Sequence, residues 1–194
     1  MGRVSWRRPV AGILALLLTA ACAFTPHDTD IQPTVQPSDS TIGAGTPVFF
    51  RFVDERDDVV VGHRGVGTMG AKVSATNLPT IVEAQLRDAL QRKAFVLVAS
   101  EQANTPTVVY RLRSFKFDIE SGFFTAGRNA SVALAVDAKR GDRTYNNVYR
   151  YNSEERIVFI PGGTEINGQM NAALSQVLQK AIDDQGLDRF LVTR

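Results

Sequence analysis

The chain has 194 residues, 44% hydrophobic and 22% charged, which excludes a disordered polymer, a collagen-like repeat and a multi-pass membrane protein. Lys and Arg number 22 against 20 Asp and Glu, and setting aside Arg3, Arg7 and Arg8 at the N-terminus leaves 19 against 20. That balance is no electrostatic footprint for nucleic acid, so no nucleic-acid partner is expected.

The first segment pairs those three arginines with an uncharged run from Val10 to Ala21 that ends at Cys22. Basic residues, a short apolar run and small residues at its end make a secretory signal pattern, assigned here to residues 1–21. Twelve residues are too few for a stable helical span, which needs about 20. The stretch Leu18-Thr19-Ala20-Ala21-Cys22 resembles the lipobox of bacterial lipoproteins, with Thr19 in place of the more usual leucine. The resemblance implies a diacylglycerol thioether on Cys22, cleavage before it and acylation of the new amine. A structural thiol is the competing reading. However, Cys22 is the chain's single cysteine and would lack a pairing partner in an oxidising compartment. Each buried methylene contributes about 0.8 kcal/mol, so several acyl chains would hold firmly. Ala23 stands where aspartate would signal inner-membrane retention, so the expected location is the outer membrane, facing the periplasm.

Residues 22–45 carry Pro26, Pro33 and Pro37 among Ser, Thr, Gln and Asp, with few large apolar groups. They read as a lipidated cysteine followed by a disordered tether, spanning on the order of 30 Å as a coil and up to about 75 Å pulled straight. On that reading the domain can stand off the membrane. Residues 46–194 are long enough for one core without disulfides or metal.

Within that domain, Thr46 to Val53 predicts a strand, and residues 59–61 and 66–73 read either as short strands or as a loosely paired excursion. Thr80 and Glu83 match a capping box opening an amphipathic helix to Ala94, with Val82, Leu86, Ala89 and Leu90 on its apolar face. Phe95 to Ala99 reads as a short buried strand. In Thr107 to Glu120 the apolar parity switches between Leu112 and Phe115, which predicts a β-bulge near Arg113-Ser114. Ala130, Val132, Leu134 and Val136 alternate as a half-buried antiparallel strand, and Arg140-Gly141-Asp142-Arg143 turns into a third strand. There Tyr145, Asn147, Tyr149 and Tyr151 share one side. A final helix carries an apolar stripe from Ile166 through Met170 to Ile182, with Gly186 as its stop. The expected architecture is an α+β two-layer sandwich. It has a largely antiparallel sheet, the order β-α-β-β-β-β-α, and two amphipathic helices on one face.

Candidate chemistry is sparse. Gly65-Val66-Gly67-Thr68-Met69-Gly70 matches G-x-G-x-x-G, but no βαβ unit surrounds it and the next helix is expected about ten residues on. Asp54-Glu55-Arg56-Asp57-Asp58 lacks the ligand spacing of a calcium loop and reads as a solvated turn. His63 is the domain's single histidine, too few ligands for zinc, and no G-x-S-x-G elbow accompanies it. Asn129-Ala130-Ser131 matches a glycosylation acceptor but reads as strand. No catalytic residue, metal or cofactor is expected. Phe123 and Phe124, flanked by Gly122 and Gly127, suggest a hairpin tip: either the rings fold onto the core, or they form a contact patch for a partner or lipid.

The lipobox, the Pro-rich segment, the strand ending at Asp54-Glu55-Arg56, the Leu86/Leu90 helix and the late helix with Asn171-Ala172-Ala173-Leu174-Ser175 together resemble the YajG family of bacterial lipoproteins. The resemblance implies an envelope-anchored domain with no established enzymatic activity. Three functions stay open. The first is a non-enzymatic binding or scaffold module, held to the membrane through Cys22 and contacting an envelope protein. The second is an accessory subunit of a transport or lipid-trafficking machine. The third, and least favoured, is a cryptic hydrolase.

Overall fold

A computed structural model of the chain describes residues 26–36, 40–64, 70–121, 126–157 and 163–193. Among the described residues, eight strands and three helices occur in the order β1 (His27–Asp28), β2 (Pro47–Asp54), β3 (Val60–Arg64), β4 (Ala71–Ser74), α1 (Leu78–Arg92), β5 (Val96–Val98), β6 (Thr107–Ser121), β7 (Ala126–Arg140), β8 (Arg143–Ile157), α2 (Gly163–Ile182) and α3 (Gln185–Val192). The main sheet runs β5-β2-β6-β7-β8, and a smaller one runs β1-β4-β3.

The α+β two-layer sandwich expected from periodicity is present, with a mixed main sheet. β2 lies parallel to both β5 and β6, whereas β6-β7-β8 form an antiparallel meander. Parallel neighbours require a long crossover, and α1 provides it between β2 and β5. One face of the sheet buries Val48, Phe50, Val108, Tyr110, Leu112, Val132, Leu134 and Val136. Against it lie Val82, Leu86 and Leu90 of α1 and Ile166, Met170, Leu174, Val177 and Leu178 of α2, in one continuous core. The parity switch in β6 is a true bulge: Leu112 faces Leu134, Ser114 faces Ala133, and Phe115 and Phe117 then re-enter the core.

Four local expectations are corrected. The strand after α1 is an edge, with Val96 half exposed. Helix α1 begins at Leu78, ahead of the Thr80–Glu83 box, and Glu83 instead pairs with Arg87 one turn on at 2.9 Å. Pro79 suits this start because the first turn has no intrahelical use for its missing N–H. Gly186 does not stop α2; α2 ends at Ile182, and Asp184 caps a separate helix in which Gly186 takes part. Lastly, residues 26–36, expected within the tether, are packed on the domain. His27 and Asp28 pair with Val73 and Ser74, and Ile31 is fully buried.

The small sheet sits tightly on the main one. Gly62 faces the Phe117 carbonyl so closely that a Cβ would lie 1.5 Å from that oxygen. Only glycine lets the two backbones approach in this way.

Candidate functional site

Cys22, Phe123 and Phe124 lie outside the described residues, as do residues 65–69 of the glycine-rich match. The flanks are informative. Ser121 pairs with Ala126, so residues 122–125 join β6 to β7. Gly70 leads into strand β4, with no helix until Leu78, so the geometry of a dinucleotide loop is missing. His63 sits half-buried in β3 opposite Lys72. The acidic run is spoken for internally. Arg56 grips Asp54 with two bonds of 2.9 Å, Glu55 takes Arg111 at 2.9 Å, and Asp58 accepts from the Val60 N–H. Asn129 and Ser131 lie within β7. Among the described residues no group of three or more His, Cys, Asp or Glu is placed to hold a metal.

The structure adds a docked strap. Residues 31–36 run extended along α2, and three backbone N–H groups at alternate positions donate to three side-chain oxygens one helical turn apart. Gln32 donates to Asn171 Oδ1 at 2.8 Å, Thr34 to Ser175 Oγ at 2.9 Å, and Gln36 to Gln179 Oε1 at 2.8 Å. The registers match because two extended residues advance about 6.7 Å and four helical residues about 6.0 Å. Upstream, the Asn77 amide accepts from the Ile31 N–H and donates to Asp30 and to the Ile31 carbonyl. This occupation explains why Asn77, at the N-cap of α1, does not cap it. Burying Ile31 contributes about 1.5–3 kcal/mol to holding the strap. Between strap and helices runs a surface groove of about 340 Å³, lined by Thr34, Val35, Gln36, Gln85, Asp88 and Arg92 among others.

Two polar constellations gather where α1 and α2 end and α3 begins. Asp184 Oδ1 accepts the Gly186 and Leu187 N–H groups at 2.9 and 3.1 Å, capping α3. Its Oδ2 accepts Tyr145 Oη at 2.7 Å, Asn147 Nδ2 at 3.0 Å and Tyr149 Oη at 2.5 Å. Burial works to raise the Asp184 pKa, but the donors from Tyr149, Tyr145, Asn147 and Leu187 outweigh it and hold the carboxyl at about 2. Burial and the same contact push Tyr145 up to about 12, and burial raises Tyr149 well beyond the usual phenol range.

Nearby, Lys93 Nζ meets Asp188 Oδ2 at 2.6 Å, with both side chains buried, and also donates to the Ile182 carbonyl. Burial raises the Asp188 pKa against the pull of Lys93. Tyr110, fully enclosed beside them, is raised chiefly by burial and then by the charges of Asp188 and Asp184. The internal gap here is about 10 Å³, at the threshold for a single water. Chemically, this cluster offers hydroxyls held protonated and a carboxylate whose lone pairs are filled, which suits structural fastening and not nucleophilic or general-base work.

Neither feature was singled out from sequence. The strap had a signal: Ile31, Pro33 and Val35 alternate with polar residues, and Asn171, Ser175 and Gln179 recur at helical spacing. The Lys93–Asp188 pair had none, because residues 95 apart in sequence share no local pattern.

A family model described as uncharacterized lipoprotein matches residues 33–192. No curated protein matches the chain. Among solved structures, protein XCC0632 from Xanthomonas campestris, carrying the DUF330 family model, is similar at a TM-score of 0.51 and 13% identity, over 84% of this chain and 95% of that one. A structure described only as an uncharacterized protein is similar at 0.48 and 8% identity, over 81% and 97%. A PelC dodecamer subunit from Paraburkholderia phytofirmans is similar at 0.35 and 9%, over 80% and 99%. At these identities the first likeness speaks to the fold alone. No helix among the described residues is long and apolar enough to cross a membrane.

Proposed function

The chain belongs to the family of uncharacterized lipoproteins, and from that premise we propose that it is a non-enzymatic binding or scaffold module of the bacterial envelope, lipid-anchored through Cys22. In this reading Cys22 carries the acyl chains, the domain faces the periplasm from the outer membrane, and Phe123 and Phe124 form a contact patch. The observation that carries the non-enzymatic part is the saturation of Asp184: five donors meet its two oxygens, leaving the cluster's most depressed carboxylate with no capacity for a substrate. A hydrophobic groove between sheet and helices would favour the transport alternative. Among the described residues that space holds the packed core of Leu86, Leu112, Leu134, Met170 and Leu178.

Intact mass of the mature protein, extracted from envelopes, tests the anchor. The expected result is an N-terminal cysteine bearing diacylglycerol and an amide-linked acyl chain, with membrane association lost in Cys22→Ser. An unmodified mature N-terminus would overturn it. Affinity capture from solubilised envelopes tests the patch: partners lost on changing Phe123 and Phe124 to serine support it, and unchanged partners remove it.

A further inference from the structure

We infer that the chain pairs with a second copy of itself through the free edge of β8, the two strands running antiparallel about a two-fold axis at Asn152. This goes beyond the reading above and does not depend on the lipid anchor.

The two edges of the main sheet are unlike. β5 closes one side with three residues, too short to template another strand. β8 closes the other with fifteen, and no described strand lies beyond it. Its sequence RTYNNVYRYNSEERI holds no Pro and no Lys, and its register with β7 runs without a bulge. Common devices against strand addition are therefore missing.

Backbone direction follows from the turn. Arg140 and Arg143 close a two-residue hairpin, so odd-numbered residues of β8 bond to β7 and even-numbered ones turn their N–H and C=O outward. Two outward groups are already engaged. The Val148 N–H donates to Asn147 Oδ1 at 2.8 Å, and the Arg150 carbonyl accepts Lys180 Nζ at 3.0 Å. Both lie towards the Gly141 turn, which leaves Asn152 to Arg156 as the open template.

Charge then selects the partner and the register. Arg150, Asn152, Glu154 and Arg156 are all exposed, on the face opposite buried Tyr149. Neither Arg150 nor Glu154 forms an ion pair among the described residues. With the axis at Asn152, Arg150 of each copy stands directly opposite Glu154 of the other, twice by symmetry. Moving the axis one residue towards the turn sets Arg150 against Asn152 and Glu154 against Val148. Moving it one residue the other way sets Arg150 against Arg156. Of the three, the Asn152 register alone brings opposite charges face to face. The central Asn152 pair and the two flanking Arg150–Glu154 pairs supply about six backbone hydrogen bonds, the Arg150 carbonyl using the lone pair that Lys180 leaves. Two five-stranded sheets thereby become one.

Thiol crosslinking in isolated envelopes tests this on the full-length chain. Asn152→Cys puts two thiols at the axis, their Cα atoms about 5.5 Å apart. Thr144→Cys, exposed on the same edge, separates its two thiols by roughly sixteen residues, or about 54 Å. A short bis-maleimide is added, and the 152–152 or 144–144 link is counted by peptide mass, which separates it from any link through Cys22. N152C is expected to link on the order of tenfold more than T144C. Adding Arg150→Glu should cut the N152C link about fivefold or more, and adding Glu154→Arg as well should restore it. Equal linking at the two positions, no 152–152 link, or an N152C yield unmoved by Arg150→Glu would overturn the pairing. So would a charge-swapped chain that keeps wild-type abundance yet stays unlinked. A link through Cys22 would show a free thiol there and overturn the anchor alone, the 152–152 count still deciding the pairing.

Discussion

Lys93, the residue just past the last turn of α1, places its ammonium 2.6 Å from the carboxylate of Asp188 in α3, with the two side chains only 4% and 8% exposed. The pair joins two helices that are otherwise separated by the whole meander, and it does so beneath the corner where α2 gives way to α3. Its Nζ also satisfies the Ile182 carbonyl, one of the acceptors left free at the end of α2.

Breaking such a pair from one side leaves a buried charge. Lys93→Met is expected to cost about 3–5 kcal/mol of unfolding free energy at neutral pH, read from urea denaturation. The Asp188 carboxyl is already raised by burial and rises further without its partner, so the penalty is absent below the unfolded carboxylate pKa, near 4, and grows as pH climbs above it. The double variant Lys93→Met/Asp188→Leu should recover most of the loss. A single variant as stable as wild type at pH 7 would show that the pair contributes no more than an exposed one.

Asp184 gives the opposite pH signature. Its carboxyl lies at about 2 in the folded protein against an ordinary 3.8, so its contribution is complete above the ordinary value and is lost as pH falls from about 4 towards 2. Asp184→Asn preserves an oxygen to cap α3 but turns an amine towards Tyr145, Asn147 and Tyr149, each already a donor. The expected cost is on the order of 2–3 kcal/mol at pH 7, narrowing to little at pH 2. Thermal unfolding measured across that range checks both the size and the convergence. Parallel pH curves would remove the assignment.

Legibility from sequence tracked the range of the interactions. Elements governed by near neighbours were readable: the α2 stripe from Ile166 to Ile182 lies in the core, and the parity switch at Leu112/Phe115 marks a real bulge. The shared side of Tyr145, Asn147 and Tyr149 was readable too, but its meaning depended on Asp184, which only folding brings to it. Proline content misled at residues 31–36. Pro33 lacks an N–H, yet the ladder draws on Gln32, Thr34 and Gln36, so proline falls where no donor is needed. The start of α1 misled as well: the Thr80–Glu83 pattern pointed one turn too late, and Asn77, which stands at the N-cap, spends its side chain on Ile31. Parallel pairing of β2 with β6 left no mark on either strand's own pattern.

The strap can be separated into its apolar and polar parts. Ile31→Ala removes a fully buried side chain and is expected to destabilise the whole domain by about 2–5 kcal/mol. Changing Asn171, Ser175 and Gln179 together to alanine removes three exposed bonds worth about 0.5–1.5 kcal/mol each at most. That triple variant should leave the melting temperature of the core nearly in place. Amide exchange at Gln32, Thr34 and Gln36 should nevertheless quicken by tenfold or more. Unchanged exchange at those amides would mean that Ile31 alone holds the segment.

Ala94 is where the backbone itself carries strain. Its φ of 65° puts a side-chain-bearing residue in the left-handed region, at the position where helices usually end on glycine. The surrounding bonds form a Schellman closure: the Phe95 N–H reaches the Leu90 carbonyl at 3.1 Å and the Ala94 N–H reaches Gln91 at 2.9 Å. Phe95 then turns into the core, where the backbone of Gly43 presses so near that a Cβ there would sit 2.5 Å from the ring. The turn is thus imposed by the burial of Phe95 and not by Ala94's own preference. Replacing Ala94 with glycine relieves about 1–2 kcal/mol of left-handed strain while adding about 0.4–1 kcal/mol of unfolded-chain entropy. The net expectation is a gain of about 0.5–1 kcal/mol and a melting temperature higher by a few degrees, measured by calorimetry. A lower melting temperature would mean that the Ala94 methyl makes contacts worth more than the strain, and the Schellman geometry would then not be the weak point of the α1–β5 corner.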